Sequence, residues 1–259
     1  MSPTSKSPIS QREVAVYSEH GDLDRPEDTA ILWRYMDFTK FVSLLDRRAL
    51  FFVRADKLGD PFEGAYTKLN MNPEVLDILM PGVDERSRRG LFQHLQRMRA
   101  ATLISCWHEG VSESDAMWRV FVEGNNGVAL RTTFASLSQS FRCEEDVLIG
   151  RVAYKDYDTD VISLQNALFP FFHKRKAFSH EYEVRALTTD LEVKREPVAM
   201  GTYYEVDLAT LISEIRVSPD ADDWFVELVR SVATTYSIDA PIGKSKLSDV
   251  PIWSSTTPR

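Results

Sequence analysis

Residues 179–185 read Ser-His-Glu-Tyr-Glu-Val-Arg, and the Glu181-x-Glu183 pair is where this chain most plainly could do chemistry. Alternate residues of a β-strand point the same way, so a strand here puts both carboxylates on one face. Like charges that close are unfavourable unless cations compensate them or a reaction uses them, and Lys174, Arg175, Lys176 and Arg185 lie within a few residues. Such a pair can stabilise positive charge that develops in a transition state, or it can help to hold a divalent cation. The plain alternative is a solvated strand face, with Tyr182 and Val184 turned inward and the basic neighbours in surface ion pairs of little energetic weight.

Other residues are weaker candidates. Asp60 and Glu63 sit in the segment Asp56-Lys-Leu-Gly-Asp-Pro-Phe-Glu-Gly64, where Pro61 disfavours helix at Asp60 and the glycines permit unusual backbone angles. Two acids in such a loop either close a turn or hold a divalent ion. His173 and His180 lack a third ligand, so no zinc site is expected. Cys106 near His108 invites a thiol-nucleophile reading, but its apolar neighbours favour a buried, inert thiol. Gly-x-Gly-x-x-Gly and Walker-type loops are absent, and Gly243-Lys-Ser245 lacks the upstream glycine of a P-loop, which disfavours kinase, dehydrogenase and P-loop hydrolase readings.

Periodicity supplies the elements that must position these residues. A strand at Ile31–Met36 precedes a helix from Asp37 or Thr39 to Arg48, whose Phe38, Phe41, Val42 and Leu45 follow helical spacing, with Asp37 as a suitable N-cap. A strand at Leu50–Arg54, a helical insertion over 72–100 and a buried strand at Ala101–Trp107 follow. Ser112-Glu-Ser-Asp115 has capping-box spacing before a short helix at Ala116–Val122, and Gly124-Asn-Asn-Gly127 turns the chain into a strand at Val128–Phe134. The second half predicts strands at Val147–Tyr154, Tyr182–Thr188, Thr202–Val206 and Glu214–Val217. It also predicts helices at Asp158–Phe172 and after Pro219. The expected fold is a single α+β domain over 29–253, with a mixed or antiparallel sheet core and flanking helices. Residues 1–28 read as a flexible arm and 254–259 as a disordered tail.

With 259 residues, 43% hydrophobic and 27% charged, the chain can bury a substantial core without staples. No apolar run reaches the roughly 20 residues of a membrane span, and the N-terminus lacks a secretory h-region, so the expected compartment is cytoplasm. Cys106 and Cys143 read as reduced thiols. A net charge of −8 disfavours nucleic acid except at a local basic patch. Arg86, Arg88, Arg89, Arg97 and Arg99 form one such candidate on a helix, with a solvated helix face as the simpler reading.

The blocks Leu-Trp-Arg-Tyr (32–35), Gly-Asp-Pro-Phe-Glu-Gly (59–64), Ile-Ser-Cys-Trp (104–107), Ala-Met-Trp (116–118), Asn-Gly-Val-Ala-Leu (126–130), Val-Ala-Tyr (152–154) and Glu-Tyr-Glu-Val-Arg (181–185) resemble, in that order, the bacterial and phage family of domain of unknown function 2971. The resemblance covers about residues 31–250. Gly59 departs from it, since the family usually has Asn before Asp-Pro-Phe-Glu. The order Arg34, Ser105, Glu181-x-Glu183 also resembles ADP-ribosyltransferases of the arginine-serine-glutamate type, which implies an ADP-ribosyltransferase-like fold and NAD as substrate. By that resemblance Glu183 holds the nicotinamide ribose and stabilises an oxocarbenium-like transition state, and Glu181 orients the acceptor or water. Arg34 binds phosphate or ribose oxygens, and Ser105 supports the carboxylate. Tyr35, Trp107, Trp118, Lys176 and Tyr182 complete the implied cofactor-binding set, with an aromatic packed on the nicotinamide.

The leading expectation is therefore an NAD-consuming or ADP-ribosyl-transferring enzyme, in the family's bacterial and phage setting a toxin or phage-defence effector, with a protein or nucleic-acid acceptor. The first alternative is a metal-dependent nuclease or phosphodiesterase using Asp60, Glu63, Glu181, Glu183 and Lys176. The second is a non-catalytic module that binds a nucleotide or a protein. The transferase requires Arg34, Ser105 and Glu183 to converge on an aromatic-walled cleft, and it fails if Arg34 and Glu183 face opposite sides of the fold. The nuclease needs two carboxylates within reach of one metal.

Overall fold

The computed structural model describes residues 21, 23–189 and 200–251. In its first half β1 (Ile31–Asp37) leads through α1 (Phe38–Arg47) to β2 (Ala49–Arg54). The insertion α2 (Pro73–Leu79) and α3 (Glu85–Ala101) precedes β3 (Thr102–Glu109), α4 (Asp115–Phe121), β4 (Gly127–Thr133) and α5 (Phe134–Ser140). The second half contains β5 (Leu148–Arg151), β6 (Ala153–Lys155), β7 (His173–Arg175), β8 (Glu183–Thr189), β9 (Gly201–Glu205), α6 (Leu208–Leu211), β10 (Glu214–Val217), α7 (Asp223–Thr235) and β11 (Ile242–Lys244). The architecture is α+β. Nine strands make one mixed sheet, with β11-β10-β4-β1-β3-β2-β9 in order and β8 bridging β3 to β5, while β6 and β7 pair separately in parallel. Among the described residues no helix is long and apolar enough to cross a membrane.

β3 has three strand partners. β8 runs along one edge from Thr102↔Thr189 to His108↔Glu183. The other edge is shared, since β2 pairs only at Leu103 and Ile104, and β1 only at His108 and Glu109. Between those contacts β1 and β2 part, leaving carbonyls in the gap that need donors. Arg34 fills the gap. Its Nη1 donates to Ser105 Oγ and, at 3.4 Å, to the Cys106 carbonyl, while Nη2 donates to the Phe51 carbonyl at 3.2 Å.

Strand parity sorts the side chains. Leu32, Met36, Leu50, Phe52, Leu103, Trp107, Val128, Leu130, Val184 and Ala186 share a core with Phe41, Leu44 and Leu45 of α1, Leu137 of α5 and Phe225 of α7. On the opposite face, Trp33, Tyr35 and Ala129 pack with Met117 and Trp118 of α4. Ile104 and Leu187 there meet Met98 of α3, Phe171 and Phe172. The sequence patterns read correctly for α1, the paired insertion helices and most strands.

Several boundaries differ for local reasons. No α-helix spans 158–172. Asp156 and Asn166 side chains accept from Asp158 N and Leu168 N, both at about two residues' remove, and such Asx turns compete with helix until a short 3-10 turn at Phe169–Phe172. The predicted 147–154 strand breaks at Val152, whose N–H turns to the Glu183 carbonyl. Asp37 stands at the start of α1, but its carboxylate accepts from Glu123 N instead of the first turn, and Ser114 rather than Ser112 caps α4. Leu23 packs against the cluster that holds Phe171 and Phe172 and against that of Tyr157, Ile162 and Phe169, and Arg25 lies 4.5 Å over the Phe134 ring, so packing begins inside the segment read as an arm. Residues 1–20 and the 254–259 tail lie outside the described residues.

Replacing Arg34 by Met should strand the Phe51 and Cys106 carbonyls and lower stability by about 2–5 kcal/mol, because each buried unmet polar group costs roughly 1–3 kcal/mol. Urea denaturation measures this. A loss near zero would show that Arg34 does not hold the gap, and Arg34→Lys should rescue little because an ammonium cannot span three acceptors in a plane.

Candidate functional site

Arg185 stands at the centre of the candidate site, with no exposure to solvent. β8 buries it against β3, opposite Cys106. Its Nη1 and Nη2 donate to the two Glu63 oxygens at 2.7 and 2.8 Å, its Nε donates to Glu183 Oε1 at 2.7 Å, and Nη1 also reaches the Phe171 carbonyl at 2.6 Å. The Asp-Pro-Phe-Glu loop is thereby drawn over β8. Asp60 closes its own turn by accepting from Phe62 N and pairs with Arg175 at 2.8 Å.

Lys174 meets the same acids from outside. Its Nζ lies 2.6 Å from Glu181 Oε2 and 3.1 Å from Glu183 Oε2. The two carboxylates therefore converge, but not by strand alternation. Glu181 ends a 3-10 turn, Tyr182 takes a left-handed conformation (φ 40°), and only Glu183 begins β8. This reverses the solvated-face expectation, since both glutamates are buried and Tyr182 is 66% exposed. His108 Nδ1–H donates to the Glu181 carbonyl at 2.6 Å, and Tyr154 Oη accepts from Glu183 N at 2.8 Å.

Electrostatics separate the two acids. Burial alone would raise the Glu183 pKa, but Arg185 and Lys174 outweigh it and hold the group down at about 2. Burial raises Glu181, opposed by Lys174. Burial and then Glu183 push the Cys106 thiol up, so it is not a ready nucleophile, and burial pushes Tyr154 up to about 12. Two adjacent acids pushed in opposite directions are a common mark of a working site, though ion networks built for stability do the same.

The residues named from the sequence are only partly brought together. Glu183 and Glu181 share the site. Arg34 and Ser105 bond to each other, but both leave the sheet on the Trp107 face, where Ser105 lies opposite Ala186; Glu183, opposite His108, leaves on the other face. Cys106 stands between, its carbonyl on Arg34 and its thiol on Glu183. Arg34, Ser105 and Glu183 thus do not converge on one cleft. Trp107 belongs to the main core and Trp118 to the cluster under α4. Tyr35 is buried there as well, its hydroxyl accepting from Ser114 N at 2.8 Å. Lys176 is 61% exposed and lies 3.7 Å from Asp160. Of the aromatic set Tyr182 stands between the two acids in the chain, and its ring and that of Tyr35 both lie edge-on to His108, at 6.2 and 6.3 Å.

Among the described residues no three His, Cys, Asp or Glu side chains are placed to hold a metal ion. Asp60, Glu63, Glu181 and Glu183 each face an Arg or Lys, whose fixed charge occupies the position a cation would take. Cys106 and His108, read from the sequence only as a buried thiol and its neighbour, are brought beside Arg185 and Glu183 by the β3–β8 register. Tyr154 was missed as part of the site, and its contact with Glu183 N from β6 reveals it.

No protein-family model matches the chain, and no curated protein matches it. Among solved structures, Thermus sp. 2.9 DarT in complex with carba-NAD+ aligns at 11% identity with a TM-score of 0.35, over 85% of this chain and 97% of that one. Likeness at that level transfers neither fold family nor activity.

Arg185→Met should cost about 3–5 kcal/mol, because it leaves two buried carboxylates facing one lysine. The unperturbed Glu183 value of 4.5 lies above its folded value of about 2, so the unfolded chain takes up the proton first as pH falls. The group's contribution to stability is therefore complete above about 4.5 and lost on the way down to about 2. Thermal melts between pH 6 and 2 should show a shallower decline for Glu183→Gln than for the wild type; parallel declines would refute the assignment.

Proposed function

We propose that the protein is an NAD-consuming or ADP-ribosyl-transferring enzyme whose chemistry rests on Glu181 and Glu183, without Arg34 and Ser105 in catalytic roles. The observation that carries this reading is the fixed anion Glu183, held ionised in a dry setting beside Glu181 and the exposed ring of Tyr182. Breaking the bond between ribose and nicotinamide develops positive charge on the sugar, and a preorganised carboxylate interacts with that charge more strongly in the transition state than with the substrate. Glu181, closer to solvent and with a raised pKa, suits the proton of water or of an acceptor. Loss of NAD, or modification of a protein or nucleic acid, would fit a toxin or a phage-defence effector acting in the cytoplasm.

One observation favours a second reading. Every carboxylate of the site already has an internal cation, as in a network that only stabilises a nucleotide- or protein-binding module. Nicotinamide release from NAD by purified protein, with cell extract supplying an acceptor, separates the two. The enzyme reading expects release by the wild type and a fall of about 10²–10³-fold in Glu183→Gln, the range typical for removing one preorganised electrostatic group. Absence of release from the wild type would overturn it and leave the binding module.

A further inference from the structure

The acids of the site hold a cation that comes from a separate part of the fold. Lys174 is the middle residue of β7, and β7 pairs with β6 alone, apart from the nine-stranded sheet. Its ammonium lies against Glu181 and Glu183, 3.8 Å from Glu63 Oε1 and 4.8 Å from the centre of the Phe178 ring. The three carboxylates make a cup suited to an organic cation, and Phe178, on the same segment as Lys174, covers the ammonium from outside. Arg185 enters the cup from the interior, whereas Lys174 enters from the surface side and keeps 11% of its side chain exposed.

None of the residues from His173 to His180 is buried. Beyond the pairing of β7 with β6, Lys174 meets Glu183, Arg175 meets Asp60 and lies over the Phe62 ring, Lys176 meets Asp160, and His173 Nδ1–H donates to the Phe169 carbonyl. Three of these ties are ionic and therefore sensitive to salt. The segment leads through Glu181 to Tyr182, an exposed non-glycine residue in a left-handed conformation, where the chain changes direction into β8. A segment with few apolar anchors and charge-dependent contacts opens at low free-energy cost.

We propose that Lys174 is an internal plug, its ammonium occupying the place that the cationic group of a ligand takes, and that His173–His180 is the lid carrying it, while Glu181, buried and held at its carbonyl by His108, stays with the body. The inference rests on the NAD reading for the identity of the ligand alone, the pyridinium ring of oxidised nicotinamide being such a cation. Opening the lid withdraws Lys174 and bares Glu183 and Glu63 to the incoming group, and closing it returns the site to a self-neutralised state.

Amide hydrogen exchange of the intact protein tests the lid. In the wild type, raising salt should speed exchange in 173–180 while leaving α7 unchanged, because screening weakens only the ionic ties; no change in 173–180 would overturn the proposal, and no mutation is involved that could misfold. In Lys174→Met, exchange in 173–180 should rise at least about tenfold, with α7 again unchanged. Faster exchange throughout would mark Lys174 as a merely structural ion and overturn the plug. Calorimetry with the N-methylnicotinamide cation as probe should show binding about tenfold or more tighter to Lys174→Met than to the wild type, since the ligand no longer displaces the lysine. Equal or weaker binding would also overturn it. Nicotinamide release with a negative lid result removes the plug and leaves the NAD reading; a positive lid result without release does the reverse.

Discussion

A guanidinium sealed from water has to be surrounded by acceptors, and much of this structure follows from meeting that demand at Arg185. Glu63 is brought from the 56–64 loop, Glu183 from the start of β8, and the Phe171 carbonyl from the turn before β7. One side chain thus ties its own strand to the turn before β7 and to a loop 122 residues away. Removing any single partner is costly because it leaves a buried charge unmet, so the segments hold one another in place. The acids exceed what Arg185 needs, and that surplus gives the site its negative character and gives Lys174 its place.

Arg34 answers a different demand. Its acceptors are two backbone carbonyls and a hydroxyl, and its task is to satisfy the gap that opens where β1 and β2 diverge from β3. Burial lowers its pKa, and the three acceptors it meets in the gap are uncharged. The two arginines illustrate how one residue type serves opposite ends. One neutralises anions and the other completes a broken hydrogen-bond ladder.

Much of this was legible in the residues. Helical spacing located α1, and turn residues located the start of β4. The clustering of Lys174 and Arg185 around Glu181 and Glu183 signalled that the acids would be compensated. What could not be read was register. Ser105 and Glu183 both lie on strands, but whether they share a face depends on which residues stand opposite, and Ser105 meets Ala186 while Glu183 meets His108. A shift of one residue reverses such an outcome. The left-handed turn at Tyr182 was equally hidden, since tyrosine has no preference for it and the surrounding ion pairs impose it. The helix expected over 158–172 failed for a local reason: Asp156 and Asn166 bind nearby backbone donors more readily than the segment forms helical turns.

The three-partner arrangement of β3 also bears on how the chain acquires its shape. Each neighbour of β3 is remote, with β1 and β2 before the long insertion and β8 after six further helices and strands, while β4 waits for β10 near the C-terminal end. Contacts of such separation must close large loops before they contribute, which slows folding. A nascent chain that ends before β8 leaves the whole free edge of β3 unpaired and Glu63 without its arginine. An unfinished chain therefore exposes an unpaired strand edge during synthesis, and the sheet closes as a cooperative unit only when most of the chain has been made.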